Sequence, residues 1–174
     1  MRIAVREATL ADVPAILDIT KEAFEKYAFD MGKNQQPIHA LKEGALAVEA
    51  DLARKLVLIG ELDGQPVGSV RCEFLPGNIA YFSRFGVKLH AQSCGMGGAL
   101  VSAVVEACRA REAAALALHT NARMFSLIRF YYGKGFFIHS TSTDRGYLRA
   151  LLVKELGRLS SQTTDYAALP PEGY

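Results

Sequence analysis

From Lys55 onward the spacing of apolar residues shifts from the three and four of a helix to the two of a strand. This switch limits the possible folds more than any other feature of the chain. Three strand-like runs follow one another closely, over residues 56–62, 67–75 and 79–89. Asp63-Gly64 joins the first two and Pro76-Gly77-Asn78 joins the last two, and both are turn-forming combinations. Neighbours joined by such short turns pair antiparallel, because a parallel partner needs a crossover of a dozen or more residues. The runs therefore predict a three-stranded meander. Within the third, Ile79, Tyr81, Phe85, Val87 and Leu89 share one parity, which predicts that they share one face.

Helical patterns flank this meander. Ile3 and Val5 alternate with charged residues as a first strand, and Thr9 with Asp12 resembles a capping box that opens a helix carrying Val13, Ile16, Leu17, Phe24 and Tyr27. Pro14 falls in the tolerated first turn. After a break at residues 30–34, Leu41, Ala45, Val48 and Leu52 predict a second helix from Pro37 to about Arg54. Beyond the meander, Leu100, Val101, Val104, Val105 and Cys108 form one helix face, with Glu106, Arg109 and Glu112 turned outward. A strand around Leu116 and Leu118, a helix over residues 125–132 and strands over residues 136–140 and 147–153 complete the reading.

The chain has 174 residues, about one domain's worth, and half of them are apolar, enough to bury a core. A net charge of +2 predicts no delocalised grip on nucleic acid, which needs many clustered cations. Cys72, Cys94 and Cys108 form no C-x-x-C pair and no zinc spacing, so neither a metal nor a disulfide framework is expected, and a reducing compartment is. Charges interrupt the apolar residues of the N-terminus, and no run approaches the ~18 of a membrane span. The expectation is a cytoplasmic protein with no membrane partner.

The most informative stretch is Gln92-Ser93-Cys94-Gly95-Met96-Gly97-Gly98, between an apolar strand and an amphipathic helix. Helix N-termini leave backbone N–H groups unpaired and carry partial positive charge, and glycines let an anion approach closely, so a phosphate-sized anion is the expected occupant. A dinucleotide fingerprint would need glycine where Leu100 stands. A phosphate-binding P-loop would need Ser or Thr after Gly32-Lys33 or Gly133-Lys134, where Asn34 and Gly135 stand.

The string Gln92-x-x-Gly95-x-Gly97 resembles the Q/R-x-x-G-x-G/A signature of the GNAT superfamily of N-acetyltransferases. Leu118-His119-Thr120, Met124, Phe130-Tyr131 and Gly135-Phe136 are similar to that family's later segment, and the order of elements matches too. The resemblance covers residues 1–156, leaving 157–174 as a C-terminal tail. It implies an α/β (α+β) fold, a mixed, mostly antiparallel twisted sheet flanked by helices, splayed where acetyl-coenzyme A wedges between two strands. It also implies transfer of an acetyl group to a primary amine of a small molecule or peptide by direct attack in a ternary complex. A noncatalytic acyl-coenzyme A-binding or sensing module is the alternative.

Residue by residue, the resemblance assigns Gln92 and the backbone of Cys94, Gly95, Gly97 and Gly98 to the pyrophosphate, and the backbone of Val87 and Leu89 to the pantetheine amides. Tyr131, four residues before Gly135, matches the general acid. Where the family often has a glutamate base this chain has Tyr81; Glu73, on the preceding strand, is the nearest acidic candidate, and a water chain is the other. Leu89 and Ser93 stand where proline and glycine are frequent, but the two essential glycines are present. Cys94 and His119 are read as structural, His90 as solvated, and Arg123, Arg129 and Lys134 as a solvated basic face of which at most one touches phosphate. Phe24, Tyr27 and residues 30–36 fall where family members shape the acceptor pocket. Residues 166–169 and the late strands suggest a homodimer.

Overall fold

A computed structural model describes residues 1–32, 38–157, Tyr166 and Leu169. Its strands are β1 (Ile3–Glu7), β2 (Leu56–Leu62), β3 (Gln65–Leu75), β4 (Ile79–Val87), β5 (Ala115–Asn121), β6 (Phe137–Ser142) and β7 (Arg149–Glu155). Its α-helices are α1 (Val13–Met31), α2 (Ala45–Arg54), α3 (Met96–Ala110) and α4 (Phe125–Gly133). The strands form one mixed sheet in the order β1-β2-β3-β4-β5-β7-β6. Every neighbouring pair is antiparallel except β4 and β5, which are parallel. This is the mostly antiparallel, helix-flanked α/β fold expected from the sequence.

Leu56 to Ile59 are all buried because β2 is covered on both faces. Leu56 and Leu58 pack toward Leu100, Val101 and Val104 of α3, while Val57 and Ile59 pack toward Ile16 and Ile19 of α1 and Val48 of α2. The capping box also forms: the Thr9 N–H donates to Asp12 Oδ2 at 2.7 Å, and Asp12 accepts two further bonds from the Arg6 guanidinium at 2.8 Å each. One turn of 3-10 helix, Leu10–Asp12, leads into α1.

Three expectations need correction. The second helix does not run unbroken to Arg54: a 3-10 turn, His39–Lys42, is separated from α2 by extended Glu43 and Gly44, and Pro37 lies outside the described residues. Glycine is a poor interior helix residue, and extended Glu43 turns its carboxylate to Arg71 and Arg84. Second, the residues of β4 do not keep one parity. Arg84 has φ +51°, and the register passes from Ser69↔Gly86 to Arg71↔Ser83, one residue more on β4 than on β3. This bulge puts Ile79 and Tyr81 in one cluster and Phe82 and Val87, with Phe85 packed against them, in another. Third, Leu89 is not in the strand but opens a 3-10 turn, Leu89–Ala91.

Residues 33–36 of the loop expected at the acceptor pocket lie outside the described residues, as does most of the expected tail. Tyr166 and Leu169 sit against Ile79, Tyr81, Ala115, Ala117, Leu151 and Val153; residues 167 and 168 of the suggested dimer segment are outside the described set. No helix among the described residues is long and apolar enough to cross a membrane, and no group of three or more of their His, Cys, Asp and Glu side chains could hold a metal.

Candidate active site

The sheet opens where its one parallel pair ends. β4 and β5 pair only from Ile79↔Ala115 to Tyr81↔Ala117, and among the described residues no strand pairs with β4 on that side beyond Tyr81. A cleft of about 630 Å³ fills the gap, with residues 82–87 on one wall and Leu118, His119 and Thr120 on the other. An extended ligand bearing amides could take up the hydrogen bonds that a strand would otherwise make there.

One end of the cleft is the start of α3. Gly95, with φ +95°, turns the chain into the helix; an L side chain rarely adopts that conformation. The first helical bond runs from the Ala99 N–H to the Gly95 carbonyl, so the N–H groups of Met96, Gly97 and Gly98 precede the ladder. A Cβ on Gly97 would stand 3.2 Å from the Phe85 ring, and one on Gly98 would stand 2.9 Å from Lys134 Nζ. The site thus joins bare backbone, the positive end of a helix dipole and an ammonium group, a donor set for phosphate. An elongated apolar slot with a strand edge and an anion cradle at its end fits the pantetheine and pyrophosphate of coenzyme A.

Aromatic rings floor the slot. Phe85 stacks on Phe130 at 5.8 Å, and Tyr131 meets Phe82 edge-on at 6.2 Å. Tyr131 is 5% exposed and borders the cleft. Burial, with the nearby Tyr27 phenol, pushes its ionisation well above the ordinary tyrosine range, so it holds its proton at neutral pH.

Of the residues singled out from the sequence, Val87, Gln92, Gly95, Gly97, Gly98 and Tyr131 border the cleft. Gln92 Nε2 donates to the Val87 carbonyl at 3.2 Å, tying the turn to the strand end. Leu89 is not brought to the cleft wall, and its N–H donates to Glu22 Oε1 at 2.7 Å. Nor does the Cys94 side chain reach the cleft; its thiol donates to the Ala91 carbonyl at 2.8 Å. Glu73 stands opposite Tyr81 at the closed end of β4, outside the cleft lining, with a carboxylate oxygen 3.8 Å from Lys55 Nζ. Its strand carries it away from the splay. Lys134 borders the cleft, whereas Arg123 and Arg129 do not.

Sequence reasoning did not find the pairing of Tyr81 with His119. Tyr81 Oη lies 2.6 Å from His119 Nδ1, across the gap between β4 and β5. Burial and the Arg149 and Arg145 guanidiniums lower His119 to about 4, against the opposing pull of Asp144, so the ring is neutral at neutral pH. The two residues are 38 apart in sequence, and no local pattern signals a contact made only by parallel pairing of their strands.

A family model for the GNAT acetyltransferases matches residues 14–136. No curated protein sequence matches the chain significantly. Among solved structures, the PaiA N-acetyltransferase of Thermoplasma acidophilum in complex with coenzyme A is similar at a TM-score of 0.78 and 16% identity, over 89% of this chain and 99% of that one. The ribosomal-protein-S18-alanine N-acetyltransferase of Escherichia coli follows at 0.73 and 17%, over 92% and 98%. YncA of Salmonella typhimurium with its cofactor acetyl-CoA gives 0.72 and 16%, over 93% and 98%.

Proposed function

The chain belongs to the GNAT family of acetyltransferases, which use acetyl-coenzyme A, and from that premise we propose that it acetylates a primary amine of a small molecule or peptide by direct attack in a ternary complex. The observation that carries this reading is the open edge of β4 running beside a cleft that ends at the glycine-started helix α3. We assign the working domain to residues 1–156 and treat 157–174 as a tail.

When bound, acetyl-coenzyme A supplies an activated acetyl thioester. Gly97 and Gly98 hold its pyrophosphate through their N–H groups, with the Lys134 ammonium adding charge. The strand edge ending at Val87 aligns the pantetheine arm, and Gln92 braces the turn. Tyr131, neutral and buried, gives a proton to the departing sulfur. A phenol is a weaker acid than a thiol, about 10 against about 8.5, and burial of Tyr131 widens that gap, so its usefulness comes from position and the exclusion of water. Glu73, held near Lys55 outside the cleft, takes no part in this reading.

The test is thiol release from acetyl-coenzyme A in the presence of small amines, polyamines, amino acids and peptides with free N-termini. Acceptor-dependent release with an acetylated product supports the transferase. Tight coenzyme A binding with no turnover across the panel would instead favour the noncatalytic module.

A further inference from the structure

A second cavity, of about 440 Å³, lies beside β5 and is bordered by residues 139–142 of β6, including His139, by Arg149 and Leu151 of β7, by Asp144 between them, and by Tyr166 and Leu169. His119 is the residue common to this cavity and to the cofactor cleft. One imidazole therefore stands at the junction of two spaces: one shaped for a pantetheine arm, the other lined by hydroxyls and charged groups on one side and by Leu151, Tyr166 and Leu169 on the other. We propose that the acceptor amine enters through this second cavity and that His119 is the base that takes its proton.

The proposal rests on the acetyltransferase reading and adds to it the group that Glu73 does not supply. The base-competent tautomer has Nδ1–H donating to Tyr81 Oη and a lone pair on Nε2. Tyr81 is 2% exposed, and its burial keeps the phenol protonated, so it acts as a fixed neutral partner that orients the ring rather than as a competing anion. The charged groups around the pair are Arg84 on β4, Arg145 and Asp144 in the β6–β7 turn, and Arg149 on β7, with Tyr147 also near. Burial first, and the cationic excess second, disfavour imidazolium, so the ring waits neutral.

The step balances as follows. The amine nitrogen forms the C–N bond to the acetyl carbonyl carbon and loses one proton to His119 Nε2. The C–S bond breaks, and the sulfur leaves with the proton from Tyr131. After the products leave, solvent entering the cofactor cleft, which His119 and Tyr131 both border, carries the proton from the imidazolium to the phenolate, so a neutral amine is acetylated with no net proton gained or lost. Tyr81 acts through His119 and is a positioning residue.

The experiment compares wild-type protein with His119→Gln, His119→Ala and Tyr81→Phe, using acetyl-coenzyme A and an amine that the wild type acetylates. Turnover, coenzyme A affinity by calorimetry and the melting temperature are measured on the same preparations. Turnover of both His119 variants should fall about 10²–10⁴-fold, with coenzyme A affinity within twofold of wild type; the buried Tyr81 hydroxyl loses its partner, so the melting temperature drops modestly and rates are read well below it. Added imidazole should restore part of the His119→Ala rate. Tyr81→Phe should lose less, about tenfold, because the base remains but its orientation relaxes. A rate within threefold of wild type in both His119 variants, with chemistry rate-limiting, would overturn the assignment. So would a loss that follows cofactor affinity or the fraction of protein unfolded at the assay temperature, since that marks a structural residue. If the wild type acetylates no amine, the underlying acetyltransferase reading fails first, and the variants then show no selective effect.

Discussion

The two sides of β4 are built on opposite plans. Toward β3 the strand is paired along most of its length, from Leu75↔Ile79 to Gly68↔Val87, interrupted only by the bulge at Arg84. Toward β5 it is paired at three residues and then left open. The closed side carries the buried supports: Arg71, 1% exposed, donates to Asp51 at 2.7 Å and to Glu43 at 2.8 Å, and Glu43 also accepts from Arg84 Nε at 2.6 Å. This cluster fastens α2 and the segment before it to the strand that forms the cleft wall. The open side exposes backbone to a ligand because its neighbour makes the ladder and the core elsewhere. Stability and binding are therefore separable, and substitutions on the two sides should have different signatures.

The sharpest contrast comes from the open side. Gly97→Glu should abolish coenzyme A binding while leaving the fold largely intact, because it brings a side chain and a negative charge to the anion cradle. Calorimetry on a variant with native circular dichroism checks this, and undiminished affinity would remove the turn from the site. Tyr131→Phe comes next. It keeps the ring against Phe82 and Phe136 and removes only the proton donor, so turnover should fall about 10²–10⁴-fold with cofactor affinity nearly unchanged. Parallel loss of affinity would show that the hydroxyl anchors the cofactor instead.

On the closed side, Arg71→Met keeps volume but takes the buried guanidinium from Asp51, which retains Arg54 and Lys55, and from Glu43, which retains Arg84. Denaturant unfolding should report a loss of about 2 kcal/mol, because charged hydrogen bonds are lost while both carboxylates keep a cation, with the affinity of the remaining folded protein for coenzyme A barely changed. A large drop in affinity at constant stability would show that the two sides are coupled through the Arg84 bulge. The smallest effect is expected furthest from the cleft. Asp12→Ala should cost about 1 kcal/mol through the lost cap. Because hydrogen bonds from Arg6 and Thr9 hold the Asp12 carboxyl well below its ordinary value of about 4, its stabilisation is complete above that value and is lost as pH falls through the depressed one. The difference in stability between wild type and variant should therefore narrow at strongly acidic pH, as acid unfolding curves would show.

Local chemistry fixed much of this molecule in advance. The hairpin of β2 and β3 follows from the apolar run 56–59, the Asp63-Gly64 turn and the short distance between the runs. The amphipathic face of α3 and its glycine entrance were legible for the same reason: both depend on neighbours within one or two turns of the chain. Gly97, Gly98 and Tyr131 lie in such segments, and the structure places all three at the cleft. What escaped the sequence depends on residues far apart. The bulge at Arg84 reverses the parity read for β4, and the ion pair with Glu43, 41 residues away, helps hold its side chain in place. Glu73 looked like a base because it lies near Tyr81 in sequence, but β3 carries it to the closed end of the splay.

The sequence alone determined most of the strands and helices, though not the break at Glu43-Gly44 or the end of β4 before Leu89, together with the hairpin turns and where a helix begins with bare backbone, since periodicity, turn chemistry and capping act over a few residues. Only the tertiary structure decided where β4 parts from β5, and that His119 meets Tyr81 at the junction of two cavities. Those relations follow from strand register and burial summed over the whole sheet, and no local segment encodes them.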